Sequence, residues 1–284
     1  MISQKFDYTA PKSLDEALAL LAGGAKPLAG GMSLIPMMKL RLAAPEHLVD
    51  LRRVSGLDYI RESRGGLHIG ATATHYDIES SPLVRQKCPL LAETAAAIGD
   101  VQVRNMGTIG GSVAHADPSA DYPAALQALE AQFVLKGAKS ERTIAAADFF
   151  VDAFTTRLEP GEIVREVIVP VDDVRTGTSY EKVVQPASGF AIVGVAVRVR
   201  QSEGKFAFVR IGVTGLSNCA FRATASERAL DGQPTTPAAI QNAAAVVAGD
   251  VDANSDLHAS ADYRRHLAVV HTARALRIAL SRIA

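Results

Sequence analysis

Two stretches of the chain, Leu28-Ala29-Gly30-Gly31-Met32-Ser33 and Thr108-Ile109-Gly110-Gly111-Ser112, set a glycine pair beside hydroxyl side chains. That combination suits a diphosphate. Paired glycines let backbone amides turn toward an anion with no side chain in the way, and Ser33, Thr108 and Ser112 add hydroxyl donors. Two such loops from separate parts of the chain could clasp one dinucleotide from both sides, although each pair taken alone reads equally well as a plain turn. Neither stretch fits GxGxxG or GxxxxGK[ST], which disfavours a Rossmann dinucleotide site and a P-loop ATPase.

Other chemistry finds less support. His47, His75 and His115 lack the i, i+4 or H-x-E spacing of a zinc site, and no metal is expected. Cys88 and Cys219 are the only cysteines, too few to hold an iron-sulfur cluster or a structural zinc. Reduced thiols are expected of both. No serine lies in G-x-S-x-G, which leaves a hydrolase of that type without support. Asp172-Asp173 reads as a pair of solvated turn residues, and no acid/base catalyst is assigned. Arg104, ahead of the second loop, could neutralise phosphate or pair with a carboxylate at a subunit contact.

Thirty basic residues balance thirty acidic ones in 284, so no global charge draws the chain to nucleic acid or an anionic membrane. The N-terminal MISQKFDYTAPKS lacks the apolar core of a signal peptide. Apolar stretches such as 189–199 are too short to span a bilayer. A cytoplasmic protein is expected.

The elements that must carry the loops follow from pattern. Ser13 and Glu16 are spaced as a capping box before Leu14, Ala17, Leu18 and Leu21, predicting a helix over 13–22. A strand over 26–29 enters the first glycine pair, and Ser33 is placed to cap a helix through Arg41. Strands are predicted over 47–51, 57–60 and 66–70, with helices from Thr74 to Ser80, over 90–98 and over 121–130. Asn105 to Asp117 reads as a glycine-rich loop. Beyond Val171 the stretches 178–184, 191–200 and 206–214 are rich in Val, Ile and Phe with a turn at Gly204, predicting an antiparallel meander. Helices over 221–231, 236–248 and 260–283 complete an α+β fold.

The stretches PLAGGMSLIPMMKLRLAAPEHLVDL (27–51) and RNMGTIGGSVAHADPSAD (104–121) give the resemblance a name. Together with IGATATHYDIE (69–79), EPGEIVREVIVP (159–170) and YEKVVQPASGFAIVGVAV (180–197), they resemble the FAD-binding medium subunits of molybdenum hydroxylases, the group that includes carbon monoxide dehydrogenase and xanthine dehydrogenase. The likeness covers nearly the whole chain. It implies a two-part FAD-binding domain of the PCMH/vanillyl-alcohol-oxidase type, divided 1–55 and 56–173, followed by a C-terminal domain over 174–284 with an antiparallel sheet and helices.

The resemblance also implies the site. Ala29, Gly30, Gly31, Met32 and Ser33 with Thr108, Ile109, Gly110, Gly111 and Ser112 would surround the diphosphate and ribityl chain of a non-covalent FAD. Asp121 matches an acidic position that contacts FAD in xanthine dehydrogenase relatives, and it is equally suited to capping its helix. Met32 stands where many relatives have His and Ser112 where many have Asn, which removes a polar contact at each. Phe190 falls where the carbon monoxide enzyme has Tyr beside the flavin; it would shield the ring or belong to the core of the next strand. His115 as a covalent flavin attachment is disfavoured, since the family binds FAD without a covalent link.

As for activity, the resemblance implies an oxidoreductase subunit in a heterotrimer, doubled to (αβγ)2. A large molybdopterin subunit would oxidise the substrate, a small subunit with iron-sulfur clusters would carry the electrons, and the FAD here would pass them to an external acceptor. Two rivals stand beside it: a stand-alone flavin oxidase, and an assembly subunit that has lost FAD. Retention of all four loop glycines disfavours the second.

Overall fold

The computed structural model describes residues 3–173 and 175–283. Val174, at which the expected C-terminal domain begins, lies outside them, as do Met1, Ile2 and Ala284.

Ser13 Oγ accepts from the Glu16 amide and starts the helix Leu14–Ala22. The Glu16 carboxylate reaches back to the Lys12 amide instead of to Ser13. That helix crosses over between strands of a small parallel sheet, Asp7–Thr9, His47–Asp50 and Lys26–Leu28, with His47–Asp50 in the centre. Ala17, Leu18 and Leu21 bury its inner face against Val49 and Leu51.

A five-stranded antiparallel sheet follows, ordered Ile60–Ser63, Gly66–Gly70, Ile163–Pro170, Gln132–Lys136, Glu141–Ala145. Its first strand starts at Ile60, so the strand expected over 57–60 is displaced. Leu57 is a fully buried core residue whose carbonyl accepts from the Thr72 amide, and it approaches the sheet as irregular chain. The helices His75–Ser80, Pro89–Ala96, Ile109–His115 and Asp121–Ala128 pack on this sheet in one continuous core. Thr74 and Asp77 form a full capping box at the first of them.

The C-terminal part is the meander Thr176–Val184, Ala191–Ser202, Lys205–Thr214, closed by the short strand Phe221–Arg222. One face, through Val193, Val195, Val197 and Ile211, packs on the helices Thr224–Leu230, Pro237–Ala245 and Ala261–Ser281. The other face lies on Asp121–Ala128, so closely that a β-carbon on Gly212 would overlap the Ala124 carbonyl. Asp172 joins this contact. It is buried beside Arg198, Nε to Oδ1 2.6 Å, and is no solvated turn residue, because the partner that holds it comes from a strand 26 residues on.

Three sequence expectations near the site are corrected. Asn105 to Asp117 is not one loop but encloses the helix Ile109–His115, whose two glycines are held helical by the Thr108 cap and by packing. Ser33 precedes the helix Leu34–Lys39 without capping it: its backbone is already helical and its hydroxyl makes no cap bond. Asp121 is the first residue of its helix, with Ala120 at the cap position, and its carboxylate points elsewhere. Both cysteines are free, Cys88 in the core and Cys219 half-buried. No helix among the described residues is long and apolar enough to cross a membrane.

Candidate functional site

The two glycine loops, 80 residues apart in sequence, meet. A β-carbon on Gly30 would overlap the Met106 carbonyl oxygen and lie 2.7 Å from Gly107 Cα. Only glycine permits that approach. Between and around the loops runs a cleft of about 910 Å³, in the range of small-molecule and cofactor sites. Ala29, Gly30, Gly31, Met32, Ser33, Thr108, Gly110, Gly111, Ser112, Asp121 and Phe190 all line it. Ile109 does not; its side chain is in the core beneath.

The loops present their backbones differently. On the second, the amides of Ile109 and Gly110 donate to Ala73 and Ala71 carbonyls, that of Gly111 to Thr108 Oγ1, and that of Ser112 to the Thr108 carbonyl. Its donors are spent. On the first, no described residue accepts from the amides of Gly30, Gly31, Met32 or Ser33. Gly31 has φ +74°, a conformation that side chains disfavour, and it turns this run of amides beside the cleft.

Asp121 is almost wholly buried. Its carboxylate accepts from Tyr180 Oη at 2.5 Å and from Lys182 Nζ at 2.9 Å. Burial pushes its pKa up to about 6, against the pull of the Lys182 charge and both hydrogen bonds. Lys182 Nζ also donates to the Ala97 carbonyl at 2.8 Å. The three groups therefore tie the meander to Ala97, just ahead of Ile98 and Gly99 at the edge of the cleft. Sequence reading missed Tyr180 and Lys182, although both lie in a stretch quoted for the resemblance; no local pattern announces partners some sixty residues away.

His75 was also missed as a lining residue. Its ring is buried at the cleft wall, 5.2 Å from the Tyr122 ring centroid. Its backbone amide donates to the Gly107 carbonyl. Burial, with Arg104 nearby, lowers its pKa to about 4, so the imidazole is neutral near pH 7. Arg104 pairs with Glu79 at 2.7 Å and donates through Nη1 to the carbonyls of Ile98 and Gly99 at the cleft edge, 3.1 and 3.4 Å. Lys26 is the only lysine or arginine among the described residues lining the cleft.

Phe190 is no core residue. It is 41% exposed, on a strap whose bonds are internal: Gln185 N to Phe190 O, Gly189 N to Gln185 O, and Ser188 N to Gln185 Oε1. Of the meander and the helices after it, only Ser188, Gly189 and Phe190 line the cleft. Phe154 lines it too, beside His115 with ring centroids 5.0 Å apart. Among the described residues no cluster of His, Cys, Asp and Glu could hold a metal ion.

Residues 4–172 match the family model of the FAD binding domain in molybdopterin dehydrogenase, and 178–279 match the CO dehydrogenase flavoprotein C-terminal domain. The chain belongs to this family of flavoprotein subunits. It is 43% identical to the carbon monoxide dehydrogenase medium chain of Hydrogenophaga pseudoflava over the full length of both. The glyceraldehyde dehydrogenase medium chain of Sulfolobus acidocaldarius is 38% identical, covering 98% of this chain and 99% of that one. A solved structure of the Hydrogenophaga enzyme, in a form lacking the Mo-pyranopterin moiety, superimposes with a TM-score of 0.97 at 45% identity and complete coverage of both chains. The α+β architecture is thus that of the family. Two relatives named for different substrates share it end to end.

Proposed function

We propose that this chain holds FAD non-covalently in the cleft between its glycine loops and serves, in the cytoplasm, as the electron-relay subunit of a molybdenum hydroxylase. Its partners are a large molybdopterin subunit and a small iron-sulfur subunit, in an (αβγ)2 assembly. The division of labour within the chain follows 1–55 and 56–173 for the cofactor and 174–284 for the strap that faces it.

The observation that carries the reading is the row of amides on Gly30, Gly31, Met32 and Ser33, which donate to no described residue and border a cleft large enough for a dinucleotide. Backbone amides without protein partners at a cleft wall are open to an acceptor brought by a ligand. With one lysine and no arginine lining the cleft, a diphosphate would be held mainly by fixed peptide dipoles, which cost no rearrangement when the anion arrives. The Ser33 and Ser112 hydroxyls extend the donor set. Thr108 is occupied as a cap, so its part is to fix the second loop. Bound FAD supplies exchange of electrons in single steps or pairs.

The remaining residues position and enclose. Asp121 and Tyr180 fix Lys182, which holds the Ala97 carbonyl, Arg104 holds those of Ile98 and Gly99, His75 supports the Gly107 carbonyl, and Phe190 covers the cleft from the meander.

The absorption spectrum of the purified chain, before and after addition of FAD, tests this. Flavin bands that pass to the supernatant when the protein is precipitated are the expected result. Absence of flavin from the isolated chain and from the assembled complex alike would sink the proposal, and colour retained on the pellet would favour a covalent oxidase.

A further inference from the structure

The face of the meander that lies on Asp121–Ala128 runs on past the end of that helix, and there it turns from apolar to cationic. Alternation along the strands puts Arg198, Arg200, Phe208 and Arg210 on the same face as Ala196 and Gly212, with Arg198 opposite Arg210 and Arg200 opposite Phe208. The three guanidinium carbons stand 5.2, 4.7 and 4.3 Å from the centroid of the Phe208 ring. The ring attracts each of them, but their mutual repulsion remains.

The carboxylates nearby do not balance this charge. Asp172 takes Arg198 through Nε, and Glu130 is shared between Arg210 at 2.8 Å and Arg222 at 3.0 Å. Arg200 Nε is buried without a partner, and no carboxylate of a described residue lies within ion-pair distance of that side chain. Beside the cluster, between the meander and the five-stranded sheet, is a cavity of about 260 Å³ lined by Arg198, Arg64, Gln132, Glu130 and His68 among others. His68 is engaged by Glu166 at 3.0 Å and Glu130 by its two arginines. Arg198 is 7% exposed, and its terminal nitrogens, unlike Nε, donate to no described residue. The charged groups left uncommitted at the cavity are therefore Arg198 and Arg64, both cations.

We propose that this cavity is an anion site, for a phosphate group that is free or carried by a small metabolite. None of its lining residues lines the glycine-loop cleft, and the inference does not rest on the flavin reading. With Arg222 set against Glu227, four arginines (Arg64, Arg198, Arg200 and Arg210) face two carboxylates, Asp172 and Glu130, an excess that a divalent oxyanion cancels. A guanidinium fork matches phosphate oxygens two at a time. Arg198, already fixed by Asp172 and by the Phe208 ring, loses little freedom in binding one. Arg64 sits at the hairpin turn of the sheet and Arg198 on the meander, so the bound anion pins the cofactor-binding part to the C-terminal part.

The test is calorimetric titration of the purified chain with inorganic phosphate and with glycerol 3-phosphate, at an ionic strength held constant with chloride, with and without FAD. The variants are Arg64→Gln, at an exposed position, and Arg198→Lys, which keeps a cation beside Asp172; Lys139→Gln, exposed at another turn, is the control. One phosphate per chain is expected with FAD present, together with a rise in melting temperature. Each variant should bind at least tenfold more weakly, with FAD uptake unchanged and the control equal to wild type. Uptake of glycerol 3-phosphate as tight as that of phosphate identifies a phosphorylated metabolite as the occupant, and uptake of phosphate alone identifies the free ion. Absence of saturable uptake by the wild type, undiminished uptake by both variants, or uptake that FAD abolishes would overturn the proposal. The comparison of variants holds whether or not the chain takes up FAD, so failure of the flavin reading leaves it standing.

Discussion

The two glycine loops look alike as sequence and differ as structure. The first, Ala29 to Ser33, keeps its amides free and owes its shape to a positive φ at Gly31 and to the absence of a β-carbon at Gly30. The second, Thr108 to Ser112, is the first turn of a helix with every amide from Ile109 to Ser112 already bonded within the protein. Glycine thus permits close packing in both loops, of Gly30 on Met106 and Gly107 and of Gly110 on Ala71, and only in the first does it also leave amides without a described partner. At Gly110 a β-carbon would overlap the Ala71 side chain and lie 2.7 Å from the Ala71 carbonyl oxygen. A glycine pair near a hydroxyl residue is a signal of tight geometry first and of phosphate binding second.

The contrast breaks most sharply at Gly30. Gly30→Ala forces the loops apart, and at least a tenfold loss of FAD affinity is expected together with about 1–3 kcal/mol of stability. Gly111→Ala, whose β-carbon meets only Thr108 Oγ1 at 2.9 Å and Ala29 Cβ at 4.0 Å, should change stability by less than about 1 kcal/mol. Paired thermal melts and flavin titrations decide the matter, and equal effects of the two substitutions would refute the division of roles.

A second, smaller separation is expected between stability and binding. Thr108→Ala removes the cap on Gly111 and should cost about 1 kcal/mol of folding free energy, with FAD affinity falling only in step. Ser112→Ala touches no described hydrogen bond and should leave the melting temperature in place while weakening FAD a few-fold. If Ser112→Ala melts early and Thr108→Ala does not, the second loop has been misread.

How far the sequence revealed this can be seen residue by residue. The caps at Ser13 and Thr74 were readable because donor and acceptor lie within three residues, and the meander because alternation of Val and Ile with smaller or polar residues is a local pattern. The glycine loops were readable as places where the backbone is special. What each does was not, since the acceptors that consume the second loop's amides, Ala71 and Ala73, lie more than thirty residues earlier and carry no distinguishing side chain. Asp121 was singled out as a cofactor contact, and only the alternative role as a cap fails, because Ala120 takes that position and the packing of the meander on the helix brings Tyr180 and Lys182 to the carboxylate. The helix over Ile109–His115 was hidden by its glycines, whose weak helical preference is overridden by the cap and by contact with Ala71.

A pH-dependent effect is expected of His75, which donates to the Gly107 carbonyl ahead of the second loop. Its pKa of about 4, set by burial and then by Arg104, lies below the 6.5 of an exposed histidine. Between those values the unfolded chain takes up a proton that the folded chain refuses, so stability is lost as pH falls from about 6.5 toward 4, by up to roughly 3 kcal/mol from this group. Asp121 acts in the opposite sense: its raised pKa means that the folded carboxyl protonates first on acidification, which masks part of the loss. His75→Gln should therefore flatten the acid limb of the cofactor-free chain's urea stability. Parallel curves for wild type and variant would rule the imidazole out.

The strap Gln185 to Phe190 closes on itself through its own hydrogen bonds and meets the rest of the cleft edge by contact, Gly189 against Gly99. A flap of that construction can lift as a unit without unravelling, pivoting where it joins the first two strands of the meander. Release of a bound molecule past this edge would require only these few residues to move, in a site whose lining comes almost entirely from the first two thirds of the chain.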